Sequence, residues 1–240
     1  MPFIHYHIFK NAGSSVDRAL ADLFGERRLD FEGAAADDVQ SSEAVRKFVS
    51  EHPEIEALST HLGRPPVPPG FFPIAFLRHP IDRAASVHRY WFQKRGWFNQ
   101  TDLSFPDWID WALAAQKGLV VRNYQTVHFS SASFTAGGIL NATATEANLA
   151  EAIDTLASWR FVGIVEEFAK SIEGFNVCYR EQLAGKQLKV FRANTTREDE
   201  LDELGRLAEI ESELGSRRYR QLVAANELDM RLYSHFKSKF

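Results

Sequence analysis

The chain has 240 residues, 45% of them hydrophobic and 25% charged, and a formal net charge of −4 at pH 7. That is the balance of a soluble globular protein, and a negative total gives no overall basic field to recruit nucleic acid or an anionic membrane. No stretch approaches the ~20 apolar residues of a membrane span, and Met1 leads straight into an apolar run without a basic, cleavable leader, so a cytoplasmic location is expected. The single cysteine, Cys178, excludes an internal disulfide and is expected to be a small buried side chain in a helix.

The predicted elements begin with a strand over residues 3–9, which ends abruptly in "KNAGSS" (10–15). Val16, Leu20, Leu23 and Phe24 then recur at helical spacing, and Gly25 supplies a stop. A helix over 43–52, a strand over 56–60, a stiff proline-rich connector over 64–70 and a strand over 73–77 come next. Pro80 opens a helix over 80–95, since its missing N–H costs nothing in a first turn. Further helices are expected over 105–117 and 145–158, a strand over 161–165, a helix over 167–183, a strand over 188–191, and helices over 198–214 and 217–238.

The runs at 74–77 and 161–165 are almost uninterruptedly apolar, as parallel strands covered on both faces are. Strands alternating with helices predict an α/β fold: one domain over 1–240, with a central parallel sheet of about five strands flanked by helices. The stretch 96–140 is the least periodic and is expected to be an insertion shaping the substrate side. Three Asn-x-Ser/Thr sequons (Asn99, Asn141, Asn194) read as chance in a chain without a secretion signal.

Two stretches carry chemistry. In "HIFKNAGSS" (7–15), a strand, a tight turn with Gly13 and a helix starting at Ser14 or Ser15 bring backbone N–H groups to the positive end of a helix dipole. Lys10 adds a charge, the two serines add donors, and Gly13 permits close backbone approach. The lysine comes first, whereas in G-x-x-x-x-G-K-[ST] it comes late and is followed by a Mg²⁺-binding hydroxyl. The competing reading is a plain N-cap by Ser14 or Ser15 beside a solvated lysine.

"FLRHPIDRAASVHRYW" (76–91) repeats the geometry on another strand: Arg78 closes it, and the helix from Pro80 carries Arg83, Ser86 and Arg89 at threefold spacing. Such guanidinium and hydroxyl groups suit a phosphate. For Arg83 and Arg89, pairing with Asp82 or another carboxylate is the favoured reading. Arg78, at a strand's carboxyl end, is favoured as a ligand residue. Two such sites on one sheet imply a ligand with two separated anionic groups.

These two blocks resemble the carbohydrate-type sulfotransferases, the family of heparan sulfate 2-O-sulfotransferase and many bacterial members. That family carries a first loop like "hIPKTAGTS" and a second block like "LRdPveRflSaYry". Looser echoes follow in order: "RNYQTVHF" (122–129), "WRFVGIVEEFAKSI" (159–172), "FRANTT" (191–196) and "NELDMRLYSHF" (226–236). The resemblance implies a P-loop-like sulfotransferase fold and the donor 3′-phosphoadenosine 5′-phosphosulfate, with 3′,5′-bisphosphoadenosine as product. Carried over, Lys10, Asn11, Ala12, Gly13, Ser14 and Ser15 hold the 5′-phosphosulfate, Arg78 and Ser86 hold the 3′-phosphate, and Asn194 and Thr195 lie near the nucleotide. Phe9 and Asn11 depart from a common Pro and Thr, and Val127 stands where many members carry Arg.

Sulfuryl transfer needs an in-line approach and charge stabilisation on the leaving oxygen, a role that falls to Lys10. The acceptor hydroxyl needs a base. His61 follows a strand at the same sheet edge and matches the second histidine of a His-x-His in the 2-O-sulfotransferase branch, where this chain has Ser59-Thr60-His61. His5 and His7 read as sheet-face residues, and His79 has an open role at the cofactor's edge. No carboxylate–histidine cluster has metal spacing, and the transfer as read needs no metal. Trp91, Trp97, Trp108 and Trp111 offer a sugar platform, although helical spacing favours core for the last two. The acceptor is a hydroxyl compound, a carbohydrate by analogy, with no nucleic-acid or membrane partner. The alternatives are a small-molecule kinase, which the loop's order disfavours, and a non-catalytic nucleotide- or glycan-binding module of the same fold.

Overall fold

The computed structural model describes residues 2–35, 38–95, 103–114, 119–135, 138–191 and 201–240. In chain order the regular elements are β1 (Phe3–Tyr6), α1 (Gly13–Phe24), β2 (Arg28–Asp30), α2 (Ser42–Glu51), β3 (Ala57–Thr60), β4 (Phe72–Ile74), β5 (Phe76–Leu77), α3 (Pro80–His88), α4 (Phe105–Ala114), α5 (Tyr124–His128), α6 (Glu146–Ala157), β6 (Gly163–Ile164), α7 (Phe168–Cys178), α8 (Glu203–Ala225) and α9 (Glu227–Lys237). The fold is α/β. Four strands form a parallel sheet in the order β2-β3-β1-β4, and β5 pairs with β6, also in parallel. Only Ala75 separates β4 from β5, and its carbonyl accepts from Gly163 N at 2.8 Å, so the β5-β6 pair continues the sheet past β4.

The period of two along β1 sorts the core. Ile4, Tyr6 and Ile8 face the layer of α6 and α9, with Leu149, Ala152, Leu156, Leu228, Leu232 and Phe236. Phe3 faces the other way, onto Val16, Leu20 and Phe24 of α1 and Phe175 of α7. A third cluster packs Ile81 and Ala84 of α3 against Trp108 and Ile109 of α4 and Ile210 and Leu214 of α8. Gly25 ends α1 with φ 57°, a conformation that favours glycine.

Several expectations need correction. The predicted strand 188–191 is irregular. Its Leu188 N–H and carbonyl bond to the Asn176 side chain at 2.8 and 3.0 Å, which replaces a strand partner. β2 escaped notice because Arg-Leu-Asp carries two charges in three residues at the sheet's edge. Past His88 the helix widens into a π-helical turn over Arg89–Arg95. α8 bends at Gly215 (φ 73°), where the sequence places a break, and then runs on to Ala225. Cys178 is exposed at the last position of α7. The described part of 96–140 packs in the helical layers, and none of its residues lines the main cavity. Among the described residues, no helix is long and apolar enough to cross a membrane.

Candidate active site

The loops that follow β1, β2, β3, β5 and β6 all open on one cavity of about 1070 Å³ at the carboxyl ends of the strands. Open α/β sheets bind ligands at this end. Of the residues singled out in the sequence, Lys10, Ala12, Gly13, Ser14, Ser15, His61, Arg78 and Ser86 line it together. Asn194 and Thr195 lie outside the described residues. Among those that are described, no tryptophan lines the cavity: Trp108 is wholly buried in the core, and Trp111 is 51% exposed on α4.

The chain leaves β1 through two left-handed residues, Lys10 (φ 67°) and Ala12 (φ 60°). Ala12 is the N-cap of α1 and gives no side-chain cap, and no acidic residue occupies the first turn. The serines therefore do not cap this helix, contrary to the competing reading. A helix start lacks intrahelical partners for its first N–H groups, and these carry the positive end of the dipole. Gly13 is also required by packing: a Cβ there would lie 1.9 Å from the His7 ring. Lys10 Nζ lies 4.4 Å from the centre of the Tyr90 ring, a cation–π contact.

Asn11 is a correction. Its side chain is buried and turns inward, where Nδ2 donates to the Phe76 carbonyl and to Gln125 Oε1, both at 2.7 Å. Gln125 also accepts from Arg78 N at 3.0 Å and donates to Arg78 O at 2.9 Å. One amide thus fastens the loop after β1 to the loop after β5. Gln125 is held in turn by Asp229, whose carboxylate accepts from Gln125 N, Thr126 N and Thr126 Oγ1 at 2.7–2.9 Å. The echoes at 122–129 and 226–236 are therefore the two halves of this strap. Gln125→Ala leaves several buried groups without partners, and we expect it to cost about 1–3 kcal/mol of stability. Urea unfolding measures this; a loss under about 0.5 kcal/mol contradicts the strap.

Arg78 ties the same loops from the cavity side. Nη1 donates to the Lys10 carbonyl at 2.9 Å, while Nε and Nη2 donate to Asp82 Oδ2 at 3.1 and 2.8 Å. Arg206 Nε from α8 lies 3.5 Å from Asp82 Oδ2, and Arg89 Nη2 lies 3.9 Å from Oδ1. Burial pushes the Asp82 carboxyl up, but the guanidinium groups, Arg78 foremost, outweigh it and hold the carboxyl below its ordinary value. Three guanidinium groups thus gather around one carboxylate beside the buried Ser86. Arg89 pairs with Asp82 as expected. Arg83 does not line the cavity: it is wholly buried, bonds to the Val120 carbonyl and lies over the Tyr124 ring. His79 also lies off the cavity, its ring against Tyr233 and its backbone N–H donating to Glu166 Oε1 at 2.9 Å.

The other end of the cavity belongs to His61. Its Nδ1–H donates to Glu32 Oε1 at 2.7 Å and its backbone N–H to the same oxygen at 3.0 Å. The carboxylate only accepts, so Nδ1 carries a proton, and in the neutral ring Nε2 is left with the lone pair. The His61 carbonyl receives Arg64 Nη1 at 2.7 Å, and the ring stacks on His7 at 3.8 Å. Glu32 follows β2, too far along the chain for a sequence motif to join it to His61.

His5 and His7 occupy the β1 face that meets α1, as their alternation implies. Their Nδ1 atoms lie 2.8 Å from the two oxygens of Asp17. The ligand atoms of these three residues fall within 4.8 Å of one another, a cluster the sequence spacing does not reveal because Asp17 is on α1. Burial opposes the Asp17 charge, but the two histidines hold its carboxyl well below the usual range. Burial lowers His7 from 6.5 to about 4. The unfolded chain therefore binds a proton there that the folded chain refuses, so stability falls as pH drops from 6.5 towards 4. Urea midpoints at pH 7 and pH 5 should show this fall, diminished in His7→Asn; an equal fall in both proteins removes His7 as its source.

A family model described as "Sulfotransferase family" matches residues 2–236. A protein of Archaeoglobus fulgidus, described only as uncharacterized, is 27% identical over 247 residues, covering 95% of this chain and 93% of the relative. The crystal structure of a sulfotransferase from Alicyclobacillus acidocaldarius aligns with a TM-score of 0.44 at 16% identity, covering 96% of each chain.

Proposed function

Since the chain belongs to the sulfotransferase family, we propose that it moves a sulfuryl group from 3′-phosphoadenosine 5′-phosphosulfate to a hydroxyl of an acceptor, a carbohydrate by family analogy. The observation that carries this reading is the single cavity joining an uncapped helix start at Lys10–Ser15 to the arginine group around Asp82. Two anion sites on one wall suit a nucleotide with phosphate on both faces of its ribose. Lys10 and the first-turn amides of α1 receive the 5′-phosphosulfate, and Arg78 and Ser86 receive the 3′-phosphate, with Arg89 and Arg206 beside them.

In the transfer, the acceptor oxygen forms a bond to sulfur as the bond from sulfur to the bridging phosphate oxygen breaks. The acceptor proton passes to His61 Nε2, which Glu32 presents by holding Nδ1–H. The negative charge that develops on the departing phosphate oxygen is met by Lys10. Preorganised positioning supplies most of the acceleration, and the Arg78 bond to the Lys10 carbonyl keeps both anion sites in register.

Incubation with donor labelled in its sulfur and a panel of hydroxyl acceptors tests the activity: label should move to an acceptor and bisphosphoadenosine should accumulate. Nucleotide binding without transfer across the panel would favour a binding module. Arg78→Ala should weaken bisphosphoadenosine binding by about 1.5–3 kcal/mol, the value of a charged hydrogen bond. A dissociation constant unchanged by calorimetry moves the 3′-phosphate elsewhere.

A further inference from the structure

Sheet order divides the cavity. β2 and β3 lie on one side of β1, and β4, β5 and β6 on the other, so His61 and Arg78 stand on opposite sides of Lys10. The β2–β3 end is lined by His7, Asp17, Arg28, Asp30, Glu32 and His61. Three carboxylates there face one guanidinium.

Arg28 pairs with two of them through its terminal nitrogens. Its Nη1 and Nη2 donate to Asp30 at 2.9 and 2.5 Å, and Nη2 lies 3.2 Å from Asp17 Oδ1. Only 14% of its side chain is exposed, against 59% for Asp30 and 38% for Glu32. Arg64 is buried behind this wall, bonded to the His61 and Gly63 carbonyls and to Ser133 Oγ; it does not line the cavity, but its charge offsets part of that of Glu32. His7 is kept neutral by burial and adds no cation near pH 7. The surface presented to a molecule beside His61 is thus acceptor-rich, with three carboxylates against the guanidinium groups of Arg28 and the buried Arg64, whereas guanidinium groups gather at the Arg78 end.

We propose that the acceptor carries an ammonium group beside its reacting hydroxyl, as an amino sugar or amino alcohol does, and that uronates and already sulfated glycans are rejected. The inference rests on the reading of His61 as the base. An ammonium next to Asp30 and Glu32 gains attraction and three donors for carboxylate oxygens. A carboxylate or sulfate there meets like charge instead, a repulsion that is felt most at low salt.

Calorimetry in low salt tests this, with glucosamine and glucuronate as probes, each titrated with and without saturating bisphosphoadenosine. Glucosamine should bind at least about tenfold more tightly, and Asp30→Asn should shrink that preference several-fold without weakening bisphosphoadenosine binding. Equal or tighter binding of glucuronate, absence of glucosamine binding, or a preference untouched by Asp30→Asn overturns the proposal. Loss of bisphosphoadenosine binding in the unaltered protein would instead sink the donor reading, which the nucleotide-free titrations keep separate.

Discussion

Lys10→Ala is expected to lower kcat by about 10²–10³, the loss that follows removal of one preorganised donor from a developing oxyanion. Binding of bisphosphoadenosine should survive, because the first-turn amides of α1 and the arginine group remain. Two features make the lysine suited to the leaving oxygen. Its left-handed backbone, φ 67°, aims it off the end of β1, and its carbonyl is held by Arg78. The Tyr90 ring beneath Nζ restrains the side chain. Steady-state kinetics with labelled donor, beside calorimetry with the product nucleotide, separates the two effects. Unaltered turnover would discard the role; a collapse of nucleotide affinity with kcat preserved would make Lys10 a binding residue only.

His61→Ala should cost about 10²–10⁴ in kcat, the range for a positioned general base, with the nucleotide's dissociation constant unchanged. The substitution is mild for the fold. The ring is half exposed, and the backbone bonds to Glu32 and Arg64 do not depend on it. Glu32→Gln should fall between wild type and His61→Ala, because an amide can donate to Nδ1 and stabilise the wrong tautomer. Added imidazole should restore part of the activity of His61→Ala alone. A loss of less than about tenfold in kcat would remove His61 as the base.

The parts legible in the sequence were those built from neighbours along the chain. Lys10 to Ser15 and Arg78 to Ser86 each sit where a strand gives way to a helix, and one short pattern carries strand, turn and helix start together. His5 and His7 read as sheet-face residues, and both are buried on the face of β1 that meets α1, opposite Ile4, Tyr6 and Ile8. What escaped were partners brought together by folding. Glu32, Asp17 and Arg206 lie on β2's exit, α1 and α8, and no local spacing marks them as companions of His61, His7 or Arg78.

Asn11 misled for a related reason. In a loop beside a lysine it reads as a ligand group, yet its partners are the Phe76 carbonyl and Gln125 in the interior. Residues 188–191 have strand-like composition, but Asn176 satisfies Leu188 from α7. Helical spacing suggested that Trp111 is core; α4 instead buries Trp108 and Ala112 and leaves Trp111 outward.

The most direct test of the central claim is a crystal structure with 3′,5′-bisphosphoadenosine. The account predicts one nucleotide spanning the cavity, its 5′-phosphate on the amides of residues 12–14 and near Lys10, its 3′-phosphate on Arg78 and Ser86. A nucleotide bound with its phosphates exchanged, or bound away from these two loops, would contradict it.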